Sequence, residues 1–270
     1  VTATTDTFLT TMVQRRRADV AARFGSLVAA DRERLAACAR PPRDFTAALR
    51  NTGAVAVVAE VKKASPSAGP IAEGVEASKQ ALHYQDGGAA AISVLTEPEV
   101  FGGSFTDLSD VADAVDVPVL CKDFVVDPVQ VFAARGHGAD AVLLMVSILG
   151  AGTANYLDLA HTLGMEGLVE VVDEDELAIA RAAGAVLVGV NARDLNTLEV
   201  DRDRASRVVR AGHAAGLTTV AASGVRSRAD VVLAADAGAD AVLVGETLMR
   251  ADFPEDVLAE LTGVAKRRDR

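Results

Sequence analysis

Cysteine is nearly absent: the 270 residues contain two, Cys38 and Cys121. That is too few for a disulfide framework, and no Cys/His spacing resembles a zinc site. Positive charge is also short, with 27 Lys+Arg against 38 Asp+Glu, a formal net charge of -11 and a pI near 4.9. Nucleic acid and acidic membrane surfaces need a basic face, so both are disfavoured as partners. An anionic small molecule is compatible with this balance only if a local positive pocket receives it. No apolar run approaches the length of a membrane span, and Val1-Thr-Ala-Thr-Thr-Asp-Thr-Phe-Leu lacks the basic and apolar regions of a secretory leader. A soluble cytoplasmic protein is expected. The four histidines, His83, His137, His161 and His213, are scattered through helical stretches and are expected at helix surfaces or ends.

What is present is a repeated phrase. Gly87-Gly-Ala-Ala-Ala-Ile-Ser-Val, Gly138-Ala-Asp-Ala-Val-Leu-Leu-Met, Gly184-Ala-Val-Leu-Val-Gly-Val and Gly238-Ala-Asp-Ala-Val-Leu-Val-Gly245 each read as a helix stop followed by a short apolar strand. Further apolar runs near 55–61, 117–121, 167–172 and 217–221 bring the total to about eight strand-and-helix units. Nearly continuous apolar strands alternating with helices mean a parallel sheet covered on both faces. Eight such units fit a closed (β/α)8 TIM barrel, an α/β fold, over residues 51–266. An open doubly wound sheet is the alternative, although no Gly-x-Gly-x-x-Gly turn follows the first strand. Residues 1–50 read as an N-terminal helical extension, broken at Pro41-Pro42, and its Arg15-Arg16-Arg17 cluster as a solvated helix face.

The active site of such a barrel lies at the C-terminal ends of the strands. Val55-Ala-Val-Val-Ala-Glu60-Val-Lys62-Lys63-Ala-Ser65-Pro66-Ser67 ends an apolar strand in a carboxylate and two ammonium groups. Glu60 and Lys62, two apart in an extended chain, point the same way and can hold each other charged in a partly dry site; a structural salt bridge is the competing explanation. The third strand ends in Lys122, the fifth carries Glu170, the sixth ends in Asn191 and Arg193, the seventh in Ser223-Gly224 and the eighth in Gly245-Glu246. Only five of the 27 basic residues are lysine, and three of those five, Lys62, Lys63 and Lys122, stand at strand ends. Arginine does not give up its proton in a protein whereas a partly buried lysine can, so this placement suggests proton transfer. Glu170, alone in an apolar strand, has the setting of a general base or of a carboxylate buried to pair with a lysine. The Ser-Gly and Gly-Glu pairs on adjacent strands suggest backbone N–H groups cradling a phosphate, against the simpler reading of turns that need glycine.

These residues resemble a known family. Ala59-Glu-Val-Lys-Lys-Ala-Ser-Pro-Ser67, Phe101-Gly-Gly-Ser104, Lys122-Asp-Phe-Val-Val126, Leu168-Val-Glu-Val171, Val190-Asn-Ala-Arg-Asp-Leu195, Ser223-Gly-Val225 and Leu243-Val-Gly-Glu246 are similar, in order and across almost the whole barrel, to indole-3-glycerol phosphate synthase. The resemblance implies a lyase of tryptophan synthesis without metal or organic cofactor. Such an enzyme converts 1-(2-carboxyphenylamino)-1-deoxyribulose 5-phosphate into indole-3-glycerol phosphate, carbon dioxide and water. It further implies Lys122 as general acid, Lys62 on the substrate carboxylate, Glu170 as general base, Glu60 orienting the lysines, and Asn191 on substrate hydroxyls. Phosphate would rest on Ser65, Arg193, Ser223, Gly224, Gly245 and the Glu246 amide, and the aryl ring among Phe101, Phe124, Leu143 and Leu195. Contact with other tryptophan-pathway enzymes is also open. Two positions depart from the family pattern: Ala222, where Ala-Glu-Ser-Gly is usual, and Ala68, where many relatives carry lysine. The missing carboxylate motivates a competing reading, a catalytically weakened paralogue that binds the same ligand or a pathway partner. Another phosphate-binding barrel, such as a sugar-phosphate isomerase, would explain the fold and the Ser-Gly pair but not the lysine motifs.

Overall fold

The computed structural model describes residues 7–37, 40–66, 68–72 and 74–267. The first six residues, Cys38 and Ser67, on which parts of the sequence reading rest, lie outside the described residues. Three helices precede the first strand: α1 (Phe8–Phe24), α2 (Ala29–Leu35) and α3 (Phe45–Arg50). Eight parallel strands then close on themselves: β1 (Ala56–Val61), β2 (Ala91–Leu95), β3 (Val119–Lys122), β4 (Ala141–Met145), β5 (Glu166–Val171), β6 (Leu187–Val190), β7 (Thr218–Ala221) and β8 (Ala241–Val244). The open-sheet alternative is removed by the pairing of β1 with β8, Ala56 opposite Ala241 and Ala59 opposite Val244. Between and after the strands run α4 (Ala77–Asp86), α5 (Phe105–Ala114), α6 (Val129–Gly136), the one-turn α7 (Val146–Leu149), α8 (Thr153–Thr162), α9 (Glu174–Ala182), α10 (Arg202–Ala214), α11 (Arg228–Ala237), the short α12 (Glu246–Met249) and α13 (Pro254–Leu261).

Strand alternation divides the core into two. Ala56, Val58, Ala91, Leu120, Ala141, Leu143, Leu168, Leu187, Val220, Ala241 and Leu243 pack together in the lumen of the barrel. Their neighbours Val57, Ala59, Ile92, Val119, Cys121, Val142, Val169, Val188 and Val242 pack outward against the helices. Both faces are dry, which is why no strand shows a polar face. The parity also fixes the site: two residues beyond a lumenal position, Glu60, Lys122, Glu170, Asn191, Ala222 and Gly245 turn inward at the C-terminal mouth.

The repeated Gly-Ala-Asp-Ala phrase acquires a structural meaning here. Gly138 and Gly238 take the left-handed conformation that ends a helix (φ 84° and 96°). The aspartate that follows accepts the backbone N–H of a neighbouring strand start, Asp140 from Val119 at 2.8 Å and Asp240 from Thr219 at 3.0 Å. The same phrase therefore stops a helix and pins the bottom of the barrel twice.

The helices before β1 reach both ends of the barrel. At the bottom, Phe45 and Leu49 of α3 are fully buried against the lumenal core, and Lys266 donates to the Leu49 and Arg50 carbonyls. At the mouth, the Leu9 N–H of α1 meets the Leu195 carbonyl at 3.2 Å. Arg15 and Arg17 are exposed as expected, but Arg16 corrects the solvated-face reading of the triplet, being only 2% exposed. Its guanidinium grips Asp123 with Nε on Oδ1 at 2.9 Å and Nη2 on Oδ2 at 2.5 Å, and also contacts Asp19. Successive helix residues point about 100° apart, so the middle of a charged triplet can face inward, and its partner lies far along the chain. Burial alone would lower the Arg16 pKa; the Asp123 carboxylate outweighs it and raises it.

Candidate active site

A cavity of about 650 Å³ opens at the mouth, and every site residue expected from the sequence lines it: Glu60, Lys62, Ser65, Phe101, Lys122, Phe124, Leu143, Glu170, Asn191, Arg193, Leu195, Ser223, Gly224, Gly245 and Glu246. At its centre the buried Glu60 carboxylate stands between two lysines, with Lys62 Nζ 2.9 Å from Oε1 and Lys122 Nζ 3.7 Å from Oε2. Burial pushes the Glu60 carboxyl up, but the charges of Lys62 and Lys122 outweigh it and hold it below the usual carboxylate range. For Lys122, burial works against the ammonium, while Glu60 and Glu170 more than compensate and raise its pKa. Lys122 therefore carries its proton at neutral pH. At 3.7 Å it is an electrostatic neighbour of Glu60 and not a hydrogen-bond donor, which leaves Glu60 Oε2 without a donor and the Lys122 N–H groups available to something else in the cavity.

Across the mouth, Glu170 is 4% exposed and accepts from Asn191 Nδ2 at 3.0 Å. Asn191 is fixed in turn, since its Oδ1 accepts the Arg193 N–H at 3.0 Å. Ser223 Oγ accepts the Ala192 N–H at 2.8 Å, so the hydroxyl proton remains free to donate. The two glycines differ in kind. Gly224 has φ 83°, a left-handed residue in a turn. Gly245 is needed for space, because a methyl group built there would lie 2.5 Å from Glu60 Oε1 and 3.1 Å from Lys62 Nζ. Each glycine thus has a local reason of its own, and the anion-binding argument rests on where their backbones point together. On the apolar side Phe101 and Phe124 meet with ring centroids 6.0 Å apart, near Leu143 and Leu195.

Several contributors escaped the sequence reading. Glu97, 2% exposed, follows β2 and accepts the N–H groups of Glu99, Val100 and Phe101 at 2.9, 2.8 and 3.0 Å, shaping the loop that presents Phe101. It obeys the same rule of polar residues at strand ends, here just past the end of β2. Asp123 and Gln130 brace the segment after Lys122, with Gln130 Nε2 donating to the Phe124 carbonyl at 2.9 Å. Arg202 holds the Ser223-Gly224 turn through the Gly224 carbonyl at 2.9 Å and Asp230 Oδ1 at 2.8 Å. Lys63, the third strand-end lysine, is committed to Asp107 at 2.7 and 2.8 Å. Among the described residues no group of three or more His, Cys, Asp or Glu is placed to hold a metal, and no helix is long and apolar enough to cross a membrane.

Residues 9–261 match the family model described as indole-3-glycerol phosphate synthase. Curated relatives of that name include one from Mycobacterium avium (strain 104), 49% identical over 94% of this chain and 93% of its own length. Another, from Mycobacterium tuberculosis (strain ATCC 25618 / H37Rv), is 48% identical over the same shares. Among solved structures, thiamine phosphate pyrophosphorylase from Pyrococcus furiosus superposes with a TM-score of 0.59 at 17% identity, covering 81% of this chain and 96% of that one. That likeness speaks for the barrel alone.

Proposed function

Because the chain belongs to the indole-3-glycerol phosphate synthase family, we propose that this cavity closes the indole ring of 1-(2-carboxyphenylamino)-1-deoxyribulose 5-phosphate, with the residue roles that follow. The chain is a lyase that releases carbon dioxide and water. Ring closure begins when the aryl carbon bearing the carboxylate attacks the ribulose carbonyl, and the oxygen that gains negative charge must be protonated as it forms. Lys122 is the group for that step: it is protonated at neutral pH and its N–H groups are not bound to Glu60. Glu60 and Glu170 offset the effect of burial on its ammonium group, so the proton is present at the start of each cycle.

Lys62 holds the substrate carboxylate until it leaves as carbon dioxide, and Glu60 stands between the two ammonium groups and orients them. Glu170, oriented by Asn191, removes the proton whose loss accompanies dehydration to the aromatic indole. The phosphate lies on Ser223, Gly224, Gly245 and the Glu246 amide, with Ser65 and Arg193 at its edge, and the aryl ring lies among Phe101, Phe124, Leu143 and Leu195. A substrate carrying a phosphate and a carboxylate does not cross a bilayer unaided, so the proposal includes a cytoplasmic location.

The observation that carries this reading is the single buried carboxylate set between two lysines, at 2.9 and 3.7 Å, opposite a second buried carboxylate. Steady-state turnover of the carboxyphenylamino-deoxyribulose phosphate, followed by indole fluorescence, tests it. Turnover that disappears in Lys122→Ala is expected. Binding of the substrate by the unaltered protein without turnover would instead establish the weakened paralogue.

A further inference from the structure

Four arginines, Arg193, Arg202, Arg226 and Arg250, line the cavity on the side of β6 to β8, and they are not equivalent. Arg202 is committed to Asp230 and the Gly224 carbonyl. Arg193 donates Nη1 to the Leu198 carbonyl at 2.9 Å. Arg226 is exposed, and its backbone N–H goes to Asp230 at 2.9 Å. Arg250 differs from all three in its partner: it sits one turn beyond Glu246, and its Nε is 3.0 Å from Glu246 Oε1.

That contact answers a problem created by the sequence. The proposed phosphate cradle uses the backbone of Gly245 and Glu246, yet residue 246 also carries a carboxylate, the wrong charge to stand beside a phosphate. Paired with Arg250 at 3.0 Å, the carboxylate has its charge offset by the guanidinium. Nε is one of five donors on a guanidinium. The four N–H groups on Nη1 and Nη2 have no protein acceptor among the described residues, and the residue borders the cavity.

We propose that Arg250 is a further substrate-binding residue with two tasks at once: it shields the phosphate from the Glu246 carboxylate and offers its terminal N–H groups to the phosphate oxygens. The inference rests on the phosphate reading of this corner of the cavity. Charge-assisted contacts of this type are the strong class of hydrogen bond, and the fork geometry suits phosphate.

Inorganic phosphate, bound to the intact protein and measured by calorimetry, is the probe, because it needs no turnover. Arg250→Gln should weaken phosphate binding about tenfold, the scale of one lost charge-assisted contact, and raise the substrate KM in proportion, with the loss falling on KM rather than on kcat. Adding Glu246→Gln to that variant should recover part of the loss, leaving roughly threefold, since the uncovered carboxylate is then gone. Both side chains are about half exposed, and thermal melting verifies that the variants fold. Phosphate binding by Arg250→Gln within twofold of the unaltered protein would overturn the assignment. A double variant no better than the single one would overturn the shielding role. If the unaltered protein itself bound no phosphate, the reading beneath the inference would fall with it, an outcome distinct from the failure of Arg250 alone.

Discussion

Replacing Arg16 by methionine is the sharpest test of how the N-terminal helix is joined to the barrel. Both side chains of the Arg16–Asp123 pair are 1% exposed, and two of the guanidinium N–H groups lie on the two carboxylate oxygens. Removing the cation leaves Asp123 buried with the Gln130 amide at 3.2 Å as its remaining side-chain donor. Breaking one side of a buried pair costs about 3–5 kcal/mol, a large share of the roughly 5–15 kcal/mol by which a domain is stable. For a chain of this length about 2–4 °C of Tm is lost per kcal/mol, so the melting temperature should fall by about 6–20 °C. Arg15→Met and Arg17→Met are the controls. Both residues are exposed, and the Arg15–Glu99 pair at 3.7 Å is a surface contact, so each should change stability by no more than about 0.5–1 kcal/mol. In a double-mutant cycle, Arg16→Met and Asp123→Asn should be coupled by about 2 kcal/mol or more. Calorimetric melts and urea titrations give both quantities. Three arginine variants with equal, small effects, or a coupling below about 0.5 kcal/mol, would refute the argument.

Lys122→Ala should abolish nearly all turnover while leaving substrate affinity within about tenfold, because the group acts mainly in the transition state. Lys122→Arg should not restore it, as arginine keeps the charge but cannot donate its proton; a near-normal kcat in that variant would remove Lys122 as the acid. Ala222→Glu places a carboxylate at an inward position of the mouth and should raise kcat/KM by up to about tenfold, or roughly 1.4 kcal/mol; steady-state kinetics showing lower activity would mean that the pocket is built around alanine. Glu176→Gln should change the pH dependence of stability. Burial, chiefly, lifts its carboxyl to about 7, above the unfolded value, so the folded state binds the proton more tightly and stability falls as pH rises from about 4.5 to 7. Urea titrations should find the glutamine variant more stable than its parent at pH 8, with the advantage fading toward pH 5. An equal difference at both pH values would exclude Glu176 as the source.

The barrel was legible because its cause is local: a period-two strand with both faces dry leaves a run of Val, Leu and Ala, and a glycine helix stop precedes every run but the third. Parity then carries Glu60, Lys122, Glu170 and Asn191 to one mouth without any knowledge of tertiary contacts. What stayed hidden depends on pairs remote in sequence. A run of three arginines does not reveal which one turns inward, and the partner of Arg16 is more than a hundred positions away. Glu97 does its work on backbone amides just after it, in a loop whose shape no composition prescribes. Gly245 reads as a phosphate glycine from sequence alone, whereas its need for space becomes visible only with the Glu60 carboxylate beside it.

The pairing of Ala56 with Ala241 also sets a timetable for biosynthesis. At about 5–20 residues per second on the ribosome, the first strand waits on the order of 10–40 s for the last one to emerge. Throughout that interval β1 and the newest strand each present a row of unpaired N–H and C=O groups, the arrangement most prone to joining another chain. Docking of β8 ends this exposure in one step, and only across that seam do the Gly245 backbone and the Glu60–Lys62 pair come together. Nascent chains halted before β8 should therefore be sticky and inactive, and the seam between the first and last strands is where a chaperone would be needed longest.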